Sequence, residues 1–410
     1  MEEEMISEST NTKTAAVQSG KIWNKAFVTL FFLNLAANIG FNMSNSLISV
    51  YADHLGASTV TVGIVFSTFA ISALAFRFVS APIIDTYNRK YVIIIALLIT
   101  MVAFLGFSLS TSVPLLIVFR LIQGCGLAGT ACSFVMVADV LPKDRYGAGI
   151  GYFSLAMVIS SAIGPSLGLW LVDAVGFSMT FAVFAGLMLF SAFMALLLKV
   201  NFKRTKKLEI KFNNLIAKEV ILPSGLLLLV IIGLHFGNSF LILYAGTRGV
   251  SSNIGLYYTV TAITALVARP MLGKLVDKHG TVPLILPALC CNITACIMIS
   301  FSSTLWHFLA AAVVNALGSA VCQPALQTVS MKKVSSNRRG AANSTNMIGL
   351  DLAALIGPLL GGMTAEAFGY SAMYRFQTVP YILCMVIVII CRKWFYKTEA
   401  GFAQTKAANG

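Results

Sequence analysis

The chain has 410 residues, of which 58% are hydrophobic and only 11% charged. A soluble domain carries about 25% charged residues, so lipid must be the solvent for most of this chain. Its net charge of +14 would point to nucleic acid in a soluble protein; here it is expected from basic loops gathered on one membrane face, with no nucleic-acid partner.

Residues 1–24 open with MEEEMISEST and are acidic and polar, which reads as a cytoplasmic tail and not as a secretory signal. Apolar runs able to cross ~30 Å of hydrocarbon follow at roughly 25–52, 59–83, 90–110, 113–140, 146–172 and 178–200. A polar segment at 201–219 separates them from a second set at roughly 220–245, 253–275, 281–302, 305–330, 340–366 and 371–394. The expected units are thus an amino-terminal bundle at 25–200, a carboxy-terminal bundle at 220–396 and a tail at 397–410. Of the 29 basic residues, 24 fall in the tails, the central segment and the even-numbered loops, whereas Arg248 and Arg375 fall on the other side. This bias predicts both termini and the central segment in the cytoplasm. The eight cysteines lie in or beside apolar segments without C-x-x-C spacing and read as small core residues.

The two sets repeat. At an offset of 193 residues, Ile39-Gly40, Asn45-Ser46, Tyr51-Ala52 and Gly56 meet Ile232-Gly233, Asn238-Ser239, Tyr244-Ala245 and Gly249. Gly164-Pro165, Gly168 and Asp173 meet Gly357-Pro358, Gly361 and Glu366. With one residue deleted, Arg77 and Asp85 meet Arg269 and Asp277. Two six-helix halves of equal topology form the parallel repeat found in one class of transporters.

On these residues the chain resembles the major facilitator superfamily over essentially everything after residue 20. The stretch RPMLGKLVDKHG (269–280), with Gly273 and Asp277, is similar to the family's loop after span 8. Its first-half copy RFVSAPIIDTYNRK (77–90) departs from the pattern, with Ala81 and Asn88 replacing two expected glycines. FRLIQGCG (119–126) resembles the span 4 arginine motif of proton-coupled members, and GPSLG (164–168) the span 5 motif of drug:proton antiporters, although Ser160 stands where an upstream glycine is expected. The resemblance implies an all-α membrane protein of twelve transmembrane helices, in two pseudo-symmetric six-helix bundles around a central cavity. It implies a bacterial-type cytoplasmic (inner) membrane, no cofactor, a proton gradient as energy source and a monomer.

Individual residues then take candidate roles. A carboxylate near a helix amino terminus is stabilised by ~0.3–1 kcal/mol. Asp85 and Asp277, at the cytoplasmic ends of spans 2 and 8, are therefore expected to latch that side closed, with Arg77, Arg269 and Gly273 in the same loops and Arg89, Asp139 and Arg145 as a charge network. Arg120 lies about 9 Å inside span 4, where an arginine costs ~2.5–3.5 kcal/mol unless it meets water, a partner or a ligand. It is expected in a cavity, tuning a proton site or holding an anion, or else paired with backbone carbonyls; Gln123 is one turn deeper. Asp351, about 16 Å along span 11, is the one deep carboxylate of the spans, and desolvation favours the neutral acid that a reversible proton carrier needs; the alternative is a polar contact at the interface between the halves. His235 is a second candidate relay. Asn34, Asn38 and Asn42 recur every four residues along one face of span 1 and, with Asn45, are expected to line the central cavity where spans 1, 4, 7 and 10 meet. Asn238, Tyr257, Tyr258, Gln323 and Gln327 are candidates for the same wall or for interhelical ties. Gly164, Pro165, Gly168, Gly357, Pro358 and Gly361 are expected to permit close helix approach and bending. No phosphate-binding loop, zinc cluster or nucleophile elbow is visible, so neither ATP use nor catalysis is expected. The expected activity is proton-coupled export of a small organic molecule, neutral, zwitterionic or anionic, since span 1 carries no acid within the membrane. Proton-coupled uptake of a sugar or organic anion, and a non-transporting membrane sensor or scaffold, are the alternatives.

Overall fold

A computed structural model describes residues 22–130, 132–142, 145–198, 216–250, 253–335 and 338–408. The side chains of residues 78–82, 84, 85, 127–130, 138, 277 and 401–408 lie outside that description. Lipid offers no hydrogen bonds to the backbone, so apolar runs of this length must satisfy themselves as helices. Span 1 is Lys25–His54, span 2 Thr59–Thr86 and span 3 Arg89–Leu109. Each starts on a polar cap: the Asn24, Ser58 and Asn88 side chains accept from Phe27, Thr61 and Lys90 N–H. Span 4 comprises Val113–Thr130 and Cys132–Val140. Tyr146–Leu196 runs on as one helix except at Gly176, where φ reaches 77° and span 5 gives way to span 6.

In the second half, Ile221–Asn238 and Leu241–Thr247 form span 7, followed by Gly255–His279, Thr281–Ser300 and Leu305–Lys333 as spans 8 to 10. Arg339–Phe376 breaks at Gly369, φ 79°, separating span 11 from span 12, which continues through Thr378–Ile390. A further helix, Arg392–Ala408, occupies what the sequence delimits as a tail. Its Phe395 is fully buried, and Trp394 lies under the Lys333 ammonium at 5.0 Å.

The repeat is written into the backbone. Gly56 and Gly249 have φ of 82° and 73°, matching the pair at Gly176 and Gly369. A side chain in that left-handed region costs roughly 1–2 kcal/mol, so each half keeps glycine at the same two turns. Packing repeats too. The Tyr51 hydroxyl donates to Ser110 O at 2.6 Å and the Tyr244 hydroxyl to Ser300 O at 2.9 Å. Their rings pack on Phe181 and Tyr374, related by the same offset, with centroids 5.1 and 5.2 Å apart.

One turn breaks the symmetry. Gly280 has φ 88°, but Asn88, its first-half counterpart, stays extended and caps with its side chain. Beside Gly280, the Glu399 carboxylate of the last helix receives the Thr281 N–H at 2.9 Å and the Thr281 hydroxyl at 2.6 Å. An acid from 118 residues away thus does at span 9 what Asn88 does locally at span 3.

Within each half, small residues set the closest approaches. A Cβ added at Gly164 would sit 2.9 Å from Asn42 Cβ, and one at Gly357 would sit 2.9 Å from His235 Cβ. Gly168 faces Leu47, and a Cβ at Gly361 would reach Phe236 O at 2.5 Å. Span 5 therefore packs on span 1 as span 11 packs on span 7, with Pro165 and Pro358 buried in these contacts.

Candidate transport pathway

The two halves meet along spans 2 and 11 and along spans 5 and 8. At the face opposite the basic loops, Gly63 and Gly362 bring spans 2 and 11 backbone to backbone. A Cβ on Gly63 would stand 2.5 Å from Pro358 O, and one on Gly362 would stand 2.7 Å from Thr59 O. The Glu366 carboxylate accepts the Val60 N–H at 2.8 Å, so an acid of one half caps a helix of the other. On the pseudo-symmetric side Gly255 abuts Ser166, and the Thr259 hydroxyl donates to Ala162 O. This is the physics the sequence suggests for Asp85 and Asp277, operating at the opposite face through Glu366. The side chains of Asp85 and Asp277 themselves lie outside the described residues.

Deeper along the same seam, Arg77 of span 2 grips Asp351 of span 11. Its Nε donates to Oδ2 at 2.5 Å and its second nitrogen to Oδ1 at 2.9 Å, a two-pronged ion pair. Arg77 lies about 27 Å along span 2 from Thr59, so this contact between the halves sits well towards the basic face. The sequence offers Asp351 either as a proton carrier or as a polar contact between the halves, and Arg77 as a loop charge. The structure makes them one unit. At the basic face two ion pairs stay inside a single half: Arg89 with Asp139, and Arg338 with Glu219. Arg145 opens span 5 and is exposed; Arg269 and Gly273 are exposed on span 8. Among the described residues, the halves are joined at the face opposite the basic loops and along the seam as far as Arg77–Asp351.

Arg120 is fully buried. Its guanidinium donates to Gln123 Oε1 at 2.5 Å and Asn45 Oδ1 at 2.9 Å and lies over Phe69 and Phe66, 4.9 and 5.3 Å from the ring centroids. Its Nε finds no partner among the described residues. Charge-assisted bonds of ~1.5–3 kcal/mol and ring contacts of ~0.5–2 kcal/mol offset the burial cost without a countercharge. The partners are side chains, not the backbone carbonyls of the alternative reading, and one of them is Asn45.

The span 1 amides form a ladder. Asn38 Nδ2 donates to Asn34 O and Oδ1 at 2.7 and 2.9 Å, and Asn42 Nδ2 donates to Asn38 O at 2.9 Å. Asn34, Asn38, Gln123 and Arg77 line a recess of about 310 Å³ whose walls come from spans 1 to 6 alone. Of the second-half candidates, Tyr257 is buried and accepts from Asn315 Nδ2 at 3.0 Å, tying span 8 to span 10. The Tyr258 hydroxyl reaches Asn238 O at 3.5 Å, while Gln323 and Gln327 are half-buried on span 10. The His235 ring has no hydrogen-bond partner among the described residues; its Cβ packs on Gly357.

The family model for the Major Facilitator Superfamily matches residues 30–291 and 227–407. The chain belongs to the major facilitator superfamily. Among its relatives is an uncharacterized MFS-type transporter of Methanocaldococcus jannaschii, 24% identical over 90% of this chain and 98% of the relative. Multidrug resistance protein MdtG of Escherichia fergusonii is 23% identical over 91% and 94%. Among solved structures, a POT family transporter in complex with 5-aminolevulinic acid superposes with a TM-score of 0.76 at 15% identity, covering 93% of this chain and 98% of that one. The nucleoside transporter NupG superposes with 0.71 at 13% identity, covering 89% and 99%. These likenesses establish the twelve-helix fold.

In this transporter, sequence reasoning missed three contacts that cross long stretches of chain: Arg77 with Asp351, Glu366 with span 2, and Glu399 with span 9. A signal existed for the second. Asp173 and Glu366 are repeat-related acids at the ends of spans 5 and 11, and Glu366 faces the start of span 2. For the first, the hint was that Asp351 is a charge too deep to stay unpaired, which points to a polar contact between the halves but not to Arg77.

Proposed function

We propose that this transporter exports a small amphipathic organic molecule in exchange for protons, as a monomer in a bacterial-type cytoplasmic membrane with its basic face inside. The observation that carries the reading is the Arg77–Asp351 pair joining the halves inside the membrane. Asp351 is 13% exposed, so water and protons reach it from the pathway. Protonation removes one charge of a two-pronged, partly buried pair and so weakens it. That loss loosens the seam only when the proton is present, which ties access to the proton gradient. Arg120, charged and without a countercharge, adds a positive field in the same half that favours neutral and anionic cargo over cations. The multidrug resistance relatives support export over uptake.

The test is accumulation of a panel of amphipathic fluorophores in inside-out vesicles acidified within. Wild type should concentrate a cargo on the pH gradient alone. Asp351→Asn should lose that concentration yet still equilibrate cargo down its own gradient. Concentration by Asp351→Asn as strong as wild type removes the proposed proton site; accumulation only in right-side-out vesicles acidified outside replaces export with symport.

A further inference from the structure

We infer that the recess inside the first half is a binding site for an organic monoanion, whose carboxylate displaces Asp351 from Arg77. This rests on the export reading for its role in transport, but not for binding itself. The recess, about 310 Å³, suits one small molecule. Its body is apolar: Leu33, Phe41, Leu97, Phe134, Met157 and Met188 supply most of the wall.

Its polar lining is one-sided. Gln123 is 1% exposed and spends Oε1 on Arg120, which can only donate, so Nε2 is forced to the other side and has no partner. Asn34 is 5% exposed and spends Oδ1 on Asn38 Nδ2, leaving its own Nδ2 without a partner. The neighbours settle both amide orientations, so two residues of the recess wall each carry a buried N–H donor without a partner among the described residues, within a side-chain turn of an acceptor in the recess. A third donor set, Arg77, lines the same recess, while among the described residues no Asp or Glu does. A cationic ligand finds no countercharge there, and a purely apolar one leaves both amides unpaired. A carboxylate on an apolar body answers all three groups.

Arg77 couples binding to the seam. Its fork is already filled by Asp351 in the same two-oxygen geometry that a ligand carboxylate would use. Cargo and Asp351 are therefore rivals for one guanidinium. Cargo entering the recess frees Asp351 from the first half, breaking the seam at its innermost point. Binding of cargo and joining of the halves at this point become mutually exclusive. Such rivalry supplies the differential affinity for two states that alternating access requires.

The experiment is equilibrium binding to the purified full chain of three probes sharing one body: 2-naphthoate, 2-naphthamide and 2-naphthyltrimethylammonium. Naphthoate should bind best and the cation worst. Asp351→Asn, by removing the rival, should tighten naphthoate about tenfold, whereas Arg77→Gln and Ala37→Phe, which fills the recess, should each weaken it about tenfold or more. Leu97→Trp fills the opposite wall and serves if Ala37→Phe does not fold. Asn34→Asp should turn the preference from naphthoate towards the cation. The inference is overturned if naphthoate does not bind, if the cation binds as well, if filling the recess changes nothing, or if Asp351→Asn fails to tighten binding. Binding is read without a pH gradient. Loss of proton-driven flux with this binding pattern intact would overturn the export reading alone, and flux of another cargo without the pattern would overturn the recess alone.

Discussion

Replacing Gly63 by valine should move the transporter from one access state towards the other without unfolding it. The obstacle at Gly63 is Pro358 O, 2.5 Å from where a Cβ would stand, with Gly362 Cα at 3.5 Å behind it. Both are backbone atoms of the other half, so no rotamer change relieves the clash. Spans 2 and 11 must separate by roughly 0.5–1 Å, and dispersion contacts along the seam weaken with such a gap. Overpacking of this kind costs ~1–3 kcal/mol. Because the clash exists only while this face is closed, the cost falls on one state and shifts the ratio of states by a factor of about 5–150. Hydrogen exchange read by mass spectrometry reports it directly. Amides at 57–66 and 358–368 should exchange faster by a similar factor, and those at the basic ends of spans 2 and 11 should slow. Gly63→Ala should show a smaller shift in the same direction. Unchanged exchange at both ends in a folded variant that transports normally would refute the claim that this seam distinguishes the access states.

The contrasting substitution is Gly361→Val, whose clash with Phe236 O lies within one half; it should lower thermal stability by ~1–3 kcal/mol and leave the balance of exchange between the two faces unaltered. Glu399→Ala should speed amide exchange at 276–283 by removing the cap on Thr281, at a cost of ~0.5–2 kcal/mol, and truncation before Arg392 should do the same. Gly56→Ala and Gly249→Ala, at equivalent turns with positive φ, should each destabilise by ~1–2 kcal/mol, measured as equal falls in unfolding temperature; a loss at one and not the other would break the equivalence of the halves.

The amino-acid sequence determined a good deal of this protein. Low charge and long apolar runs required helices in lipid, because an unpaired backbone there is too costly to exist. The 193-residue repeat required two equivalent halves, and the glycines at 56, 176, 249 and 369 carry that equivalence because only glycine tolerates the turns they make. Such features are local, or periodic, and a linear reading captures them. Pairing across the halves is neither. Asp351 has no acidic repeat partner, and Arg77 stands 274 residues before it, so no spacing rule joins them. Depth along span 11 marks Asp351 as a costly buried charge, whereas Arg77 reads as the charge of a loop, and only the packing of spans 2 and 11 pairs them.

The span 1 asparagines show the same division. Their four-residue spacing places them on one face, but a face can look towards the partner half or into its own bundle. Tertiary packing chose the bundle interior for the Asn34–Asn38 end and gave Asn45 to Arg120. Likewise a polar carboxy-terminal stretch is silent about where it rests until the bare amino terminus of span 9 offers Glu399 a partner. Periodicity and composition fix which residues can be buried; the choice of partner for a buried charge or amide depends on distances between segments remote in the chain, and these exist only once the helices have packed.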